Sequence, residues 1–227
     1  MSAAPRDARS AELFDRARHV LVGHGDPVHR DDAGGLVDAA VAHARGSTPR
    51  WLLSLATGSV RRRAQLQVLR PDLEFVELRG NIQTRLGKVP ADGSIVMAVA
   101  ALQILGLTDR VAERFDVDLF VPSPGQGCVA VECRADDPVT AARVATVDHR
   151  VTRAAVEIER AFLAEVGAGC TAPLGAHVAN GELSVFMASG AHVDARRFAA
   201  RRVLPSGDAA FDVARELARE AVRAVGQ

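Results

Sequence analysis

The sequence predicts an α/β protein with a mainly parallel sheet in its middle segment and a small α+β unit at its C-terminal end. Three observations predict this. Between residues 51 and 122, short apolar runs of strand length alternate with amphipathic helical stretches, as in βαβ units. From about residue 150 the pattern changes to a long helical stretch, an Asn-Gly turn between apolar runs and a closing amphipathic helix. Finally, 227 residues with 48% hydrophobic and 25% charged content suffice for one large domain or two smaller ones.

The elements follow in order. Residues 1–18 form a polar lead-in, and 19–23 (HVLVG) have strand character. GHGDPVHRDDAGG is a loop by its turn formers, 36–44 are helical, and GSTPR breaks that helix. WLLSLAT (51–57) is a buried-strand run followed by a TGS turn. SVRRRAQLQVLR then spaces Val60, Ala64 and Val68 by four, a helical repeat ended by Pro71. LEFVEL alternates as a second strand, RGN turns, IQTRLGK is a short helix, SIVMAVA a third strand and AALQILGL a helix. DVDLFVP (116–122) is expected as a fourth strand and CVAVEC (128–133) as a further one beyond the PSPGQGC crossing. Residues 138–165 are helical with an interruption near His149. GAGCTAPLGAHV is a loop entering a strand, Gly181 lies in a hairpin turn before ELSVFMASG, and AFDVARELAREAVRAV closes the chain as a helix.

Several function classes fall away. Lys plus Arg equals Asp plus Glu, 28 each, so no global field favours nucleic acid or an anionic membrane. Lys88 is the only lysine, so any lysine chemistry must use it. The first residues lack the apolar core of a signal peptide, and no stretch reaches the roughly 20 apolar residues of a membrane span. The cytoplasm is the expected compartment. The seven histidines show no HExxH or comparable ligand spacing, so no metal is expected. Walker and GxSxG motifs are absent. Cys128 and Cys133 flank an apolar run, which predicts buried cysteines pointing to opposite faces of a strand.

Ligands of such sheets belong at the carboxyl ends of parallel strands. Two successive strand ends carry arginine. ATGSVRRR places Thr57, Ser59, Arg61 and Arg62 at a helix start, and LRGNIQTRL places Arg79 in a turn with Arg85 six residues on. Helix starts stabilise anions, and guanidinium matches carboxylate through two hydrogen bonds. Cations there oppose the helix dipole, so an anionic ligand supplies their reason. The alternative is a solvated face, with Arg79 and Arg85 paired to Glu74 or Glu77; two arginine groups at neighbouring strand ends favour the ligand. Cys170, in the Gly-rich loop GAGCTAPLG, is open to both an inert and a nucleophilic or attachment role.

These residues match a family. ATGSVRRRAQLQVLRPDLEFVELRGNIQTRLGKV resembles the middle domain of porphobilinogen deaminase, also called hydroxymethylbilane synthase. Its strings there are GTSSLRRxAQ, RPDL and LRGNVxTRL. VPSPGQGCVAVECRADD and ERAFLAEVGAGCTAPLGAHV resemble further family strings, so the likeness covers about 51–180. It implies a periplasmic-binding-protein-like parallel sheet in the middle domain. The family links porphobilinogen units head to tail with loss of ammonia. It implies a dipyrromethane cofactor, held by thioether to Cys170, and carboxylate-binding roles for Arg61, Arg62, Arg79 and Arg85, with Thr57 and Ser59 in the same turn.

The implied organisation is an N-terminal remnant (1–50), the middle domain (51–121), a crossing segment that in the family returns to the N-terminal domain (122–148), and a C-terminal domain with the cysteine loop (149–227). The N-terminal domain is incomplete. The family's Lys-Asp catalytic motif has no counterpart, because no lysine precedes Lys88. The catalytic residue is therefore unassigned; Asp15, Asp26, Asp31 and Asp32 are the substitutes that the chain offers. Ile104 stands where the family string has another carboxylate-binding arginine. Three readings follow: a divergent deaminase working alone, as a dimer or with a partner chain that supplies the missing domain; a non-catalytic relative that binds pyrroles or another polycarboxylate; or a fragment of a normal enzyme. The expected small-molecule partner is a pyrrole.

Overall fold

The computed structural model describes residues 19–23 (backbone only), 54–89, 93–111, 113–117, 119–169 and 171–226. The expected helix at 36–44, the four substitute aspartates and Cys170 lie outside the described residues.

A five-stranded sheet occupies the first half. Its strands are β1 (His19–Gly23), β2 (Ser54–Ala56), β3 (Glu74–Val76), β4 (Gly93–Ala98) and β5 (Glu113–Arg114), in the order β3-β2-β4-β1-β5. β2 runs parallel to both β3 and β4, while β1 is antiparallel to β4 and β5. The sheet is therefore mixed, with a parallel centre of three strands. β1, within the stretch ascribed from sequence to an N-terminal remnant, pairs with β4 over five residues, from His19 opposite Ala98 to Gly23 opposite Ser94.

Helices α1 (Val60–Leu69), α2 (Ile82–Leu86) and α3 (Val99–Ile104) follow β2, β3 and β4. Alternation along β4 feeds two cores. Val96 joins Leu55, Leu66, Leu73, Phe115 and Phe120, whereas Ile95 and Met97 join Ala56, Leu78, Val99 and Leu102. Burial of both faces explains why β4 reads as a continuous apolar run. The end of α1 is locked by Arg70, fully buried, whose Nε and Nη2 donate to Asp72 at 2.7 and 2.6 Å on either side of Pro71.

Two expected strands did not form. Of DVDLFVP, none of the described residues is in a strand; Val121 is instead held by a side chain. Its N–H donates to Gln65 Oε1 at 2.7 Å and its carbonyl accepts from Gln65 Nε2 at 3.0 Å. The amide thus takes the place of a ladder neighbour. CVAVEC is also not a strand: among the described residues no neighbour pairs with it, and Val129 and Val131 are 71% and 55% exposed. Cys128 is half-buried and Cys133 exposed, which overturns the expectation of two core cysteines on opposite strand faces.

The remainder comprises α4 (Pro138–Ala145), α5 (Arg150–Val166), an antiparallel meander of β6 (Leu174–Ala179), β7 (Glu182–Ala188) and β8 (Arg197–Val203), and α6 (Ala209–Val225). His149 caps α5 by accepting from Thr152 N at 3.3 Å, which explains the break in periodicity. The β6–β7 hairpin turns through Asn180 (φ 53°) and Gly181 (φ 78°), the paired positive φ of a type I′ turn. Phe162 of α5, Leu183, Val185 and Met187 of β7, and the small face of α6 (Ala214, Ala218, Ala221) form its core. A cluster of Ala64, Val121, Phe186 and Ala188 joins α1 to β7. β8 has no counterpart in the sequence reading, because its arginine-rich outer face hides the period-two pattern. No helix of the described residues is long and apolar enough to cross a membrane.

Candidate functional site

The two arginine-bearing loops touch. Past β2, Thr57 N donates to Val76 O at 2.9 Å, and the buried Thr57 hydroxyl accepts from Ser59 N at 3.2 Å. Ser59 caps α1, its Oγ accepting from Arg62 N at 3.4 Å. Between them, a Cβ on Gly58 would stand 2.7 Å from the Leu78 carbonyl. Glycine therefore lets the first turn press against the chain that leads into Arg79. Gly80, at φ 123°, then bends that chain into α2, capped by Asn81.

The arginines of these two motifs take different roles. Arg61 is 6% exposed; its Nη1 donates to Val121 O at 2.8 Å and its Nη2 to Gln126 Oε1 at 3.3 Å. Arg62 Nη1 donates to Val96 O at 2.7 Å, while its buried Nε has no hydrogen-bond partner among the described residues. Burial, and then Arg62, drive Arg61 down to a pKa of about 9. Burial, and then Arg85, lower Arg62 to about 10. Arg61, Arg62 and Arg85 therefore share one electrostatic neighbourhood, and the first turn of α1 carries no acidic residue. Both guanidiniums remain protonated at neutral pH and bear the cost of being charged there. Arg85 is half-buried and donates from Nε to Gly80 O at 2.7 Å.

Arg79 sits on the same loop, but its exposed guanidinium pairs with Glu77 at 2.6 Å. That is one of the pairings the solvated-face alternative foresaw. Arg63, third in the run, leaves the site and lies over the Phe75 ring at 5.1 Å. Ile104 is 78% exposed at the end of α3. Of the residues singled out from sequence, the structure groups Thr57, Ser59, Arg61, Arg62 and Arg85.

A junction that the sequence reading missed lies behind Arg61. Gln65, one helical turn after Arg61, reaches the same Val121 carbonyl. On the far side of this segment, Ala176 N donates to Pro122 O at 3.1 Å, and a Cβ on Gly175 would lie 2.7 Å from that oxygen. Glu159, buried on α5, accepts from Gly125 N at 2.6 Å, Val178 N at 2.8 Å and His177 Nδ1 at 3.1 Å. The i, i+4 spacing of Arg61 and Gln65 was a usable signal for one half of this junction. Nothing local announced Glu159. Among the described residues no group of His, Cys, Asp and Glu could hold a metal.

Residues 35–142 match a family model described as porphobilinogen deaminase, dipyromethane cofactor binding domain. Porphobilinogen deaminase of Thermobifida fusca is 53% identical over 127 residues, 55% of this chain and 40% of the relative. That of Acidothermus cellulolyticus is 45% identical over 183 residues, 75% of this chain and 54% of the relative. That of Pelobacter propionicus is 40% identical over 168 residues, 72% of this chain and 54% of the relative. The chain belongs to the porphobilinogen deaminase family. It spans about half the length of the curated relatives it matches. Within the family match fall Thr57, Ser59 and all four candidate arginines; Cys170 follows it. A dipyrromethane, with two carboxylates on each ring, fits the residues present: Arg61, Arg62 and Arg85 share one electropositive neighbourhood, and the buried Arg62 Nε has no hydrogen-bond partner among the described residues.

Proposed function

We propose that this chain acts in the polymerisation of porphobilinogen to hydroxymethylbilane, in tetrapyrrole biosynthesis in the cytoplasm. The observation that carries the proposal is the adjacency of buried Arg61 and half-buried Arg62, each destabilised by loss of water and by a neighbouring cation. In this reading Arg61, Arg62 and Arg85 bind pyrrole acetate and propionate groups, with Thr57 and Ser59 shaping the turn. Arg79 joins them by exchanging Glu77 for a ligand carboxylate. Each charge-assisted bond contributes roughly 1.5–3 kcal/mol, so a few orient a growing, increasingly anionic chain. Cys170 holds the cofactor through a thioether at its sulfur. A bound dipyrromethane would supply the primer ring to which further units are joined.

The finer architecture belongs to the same proposal: a periplasmic-binding-protein-like sheet in the middle, a C-terminal unit from 149 on, and a crossing segment (122–148) that packs against an N-terminal domain. The exposed Val129 and Val131 support the last point, since an unpaired apolar segment suits a sheet neighbour. Pyrrole binding without turnover by this chain alone is the second reading. It is favoured by Ile104, 78% exposed at the end of α3, where the resemblance places a further carboxylate-binding arginine.

The intact mass of protein made in a porphobilinogen-producing host tests the tether. The wild type is expected to carry the increment of a dipyrromethane, and Cys170→Ala to lack it; an unmodified wild type would remove this role from Cys170. Ammonia release from porphobilinogen separates the two readings.

A further inference from the structure

We propose that Glu159 is a positioning residue for Arg61, acting through the 123–127 turn and the side chain of Gln126. This rests on the reading that Arg61 binds a ligand carboxylate. Glu159 belongs to α5 and Arg61 to α1, and the sequence gives no reason to couple them. The structure links them in three short steps. Glu159 Oε2 accepts from Gly125 N at 2.6 Å. Gly125, at φ 71°, opens a tight turn in which Gln126 N donates to Ser123 O at 2.9 Å and Cys128 N to Gly125 O at 3.1 Å. Gln126 Oε1 then accepts from Arg61 Nη2 at 3.3 Å.

The arrangement needs a carboxylate. Glu159 uses both oxygens as acceptors: Oε1 takes Val178 N at 2.8 Å and His177 Nδ1 at 3.1 Å, and Oε2 takes Gly125 N. A glutamine has one acceptor oxygen and an NH2 group that would face a donor. With its oxygen kept on β6, it releases Gly125. The turn then no longer dictates where Gln126 points, and Arg61 keeps Val121 O but loses the contact that sets the angle of its fork. Bidentate recognition of a carboxylate is sensitive to that angle.

The test measures porphobilinogen affinity by calorimetry on the full-length chain, together with ¹⁵N NMR of the Arg61 guanidinium. Glu159→Gln and Gln126→Ala are each expected to weaken binding by about 3- to 10-fold, the loss of one oriented hydrogen bond. Neither should weaken it further in an Arg61→Met background. Additive losses there would overturn the proposal, giving Glu159 a general structural role while the binding reading stands. If Arg61→Met itself leaves affinity unchanged, the binding reading fails, and the NMR still decides the positioning. Restricted guanidinium rotation in the wild type that is lost in both variants supports it; identical spectra overturn it. Gln126 lies half-buried on a turn, so its variant keeps the test valid should Glu159→Gln not fold. Gln126→Glu retains the acceptor and is expected to restore the restricted rotation.

Discussion

Replacing Arg61 by methionine separates a binding residue from a structural one. A buried arginine hydrogen-bonded to Val121 O and Gln126 Oε1 would ordinarily be assigned to the fold, and its removal expected to destabilise. Here two terms oppose. The variant loses the bonds to Val121 O and Gln126 Oε1, about 1.5–3 kcal/mol for a hydrogen bond to a charged group. Val121 O keeps Gln65 Nε2 at 3.0 Å, so that carbonyl is not orphaned. Against this, the variant removes a cation whose burial and repulsion by Arg62 take its pKa to about 9, a cost on the order of 5 kcal/mol while it stays charged. Methionine is flexible and fills the space of the aliphatic stem. With two bonds lost, the net expectation is a ligand-free stability between about 1 kcal/mol lower and about 2 kcal/mol higher, within the usual range for one substitution. Binding should move the other way, with polycarboxylate affinity down about 10- to 100-fold. Urea unfolding at pH 7.5 without ligand and calorimetry with porphobilinogen measure the two. A variant that is destabilised by several kcal/mol yet binds normally would refute the assignment of Arg61 to ligand rather than fold.

Three further outcomes follow from the same geometry. Because burial lowers the Arg61 and Arg62 values to about 9 and 10, the charged forms weaken the fold fully below those values. The penalty fades as pH rises through them. Ligand-free stability should therefore climb between pH 9 and about 11, a window left open by a single lysine and no tyrosine; an equal slope in Arg61→Met would contradict this. Gly58→Ala forces a Cβ to 2.7 Å from Leu78 O. It should cost about 1–3 kcal/mol and lower affinity by parting the two loops, and wild-type values for both would sink the close-approach argument. Gly175→Ala meets Pro122 O at 2.7 Å and Val121 O at 2.8 Å. A similar loss is expected, with faster hydrogen exchange at Ala176, whose amide donates to Pro122.

What the residues alone determined were local and periodic features. The parallel centre of the sheet, the helices after β2, β3 and β4, the Asn180–Gly181 hairpin and the placing of Arg61 and Arg62 at a helix start all follow from patterns a few residues long. The family likeness lay in contiguous motifs for the same reason. What only tertiary structure decided was which partner each group takes. DVDLFVP and CVAVEC have strand composition, but a strand exists only where a neighbour pairs with it. For Val121 the neighbour is the Gln65 amide, and for residues 128–133 there is none among the described residues. Arg79 and Arg61 stand in similar motifs, yet one meets Glu77 in water and the other is buried against Val121 and Gln126. Long-range placement sets desolvation and charge coupling, and neither is encoded in the spacing of a motif.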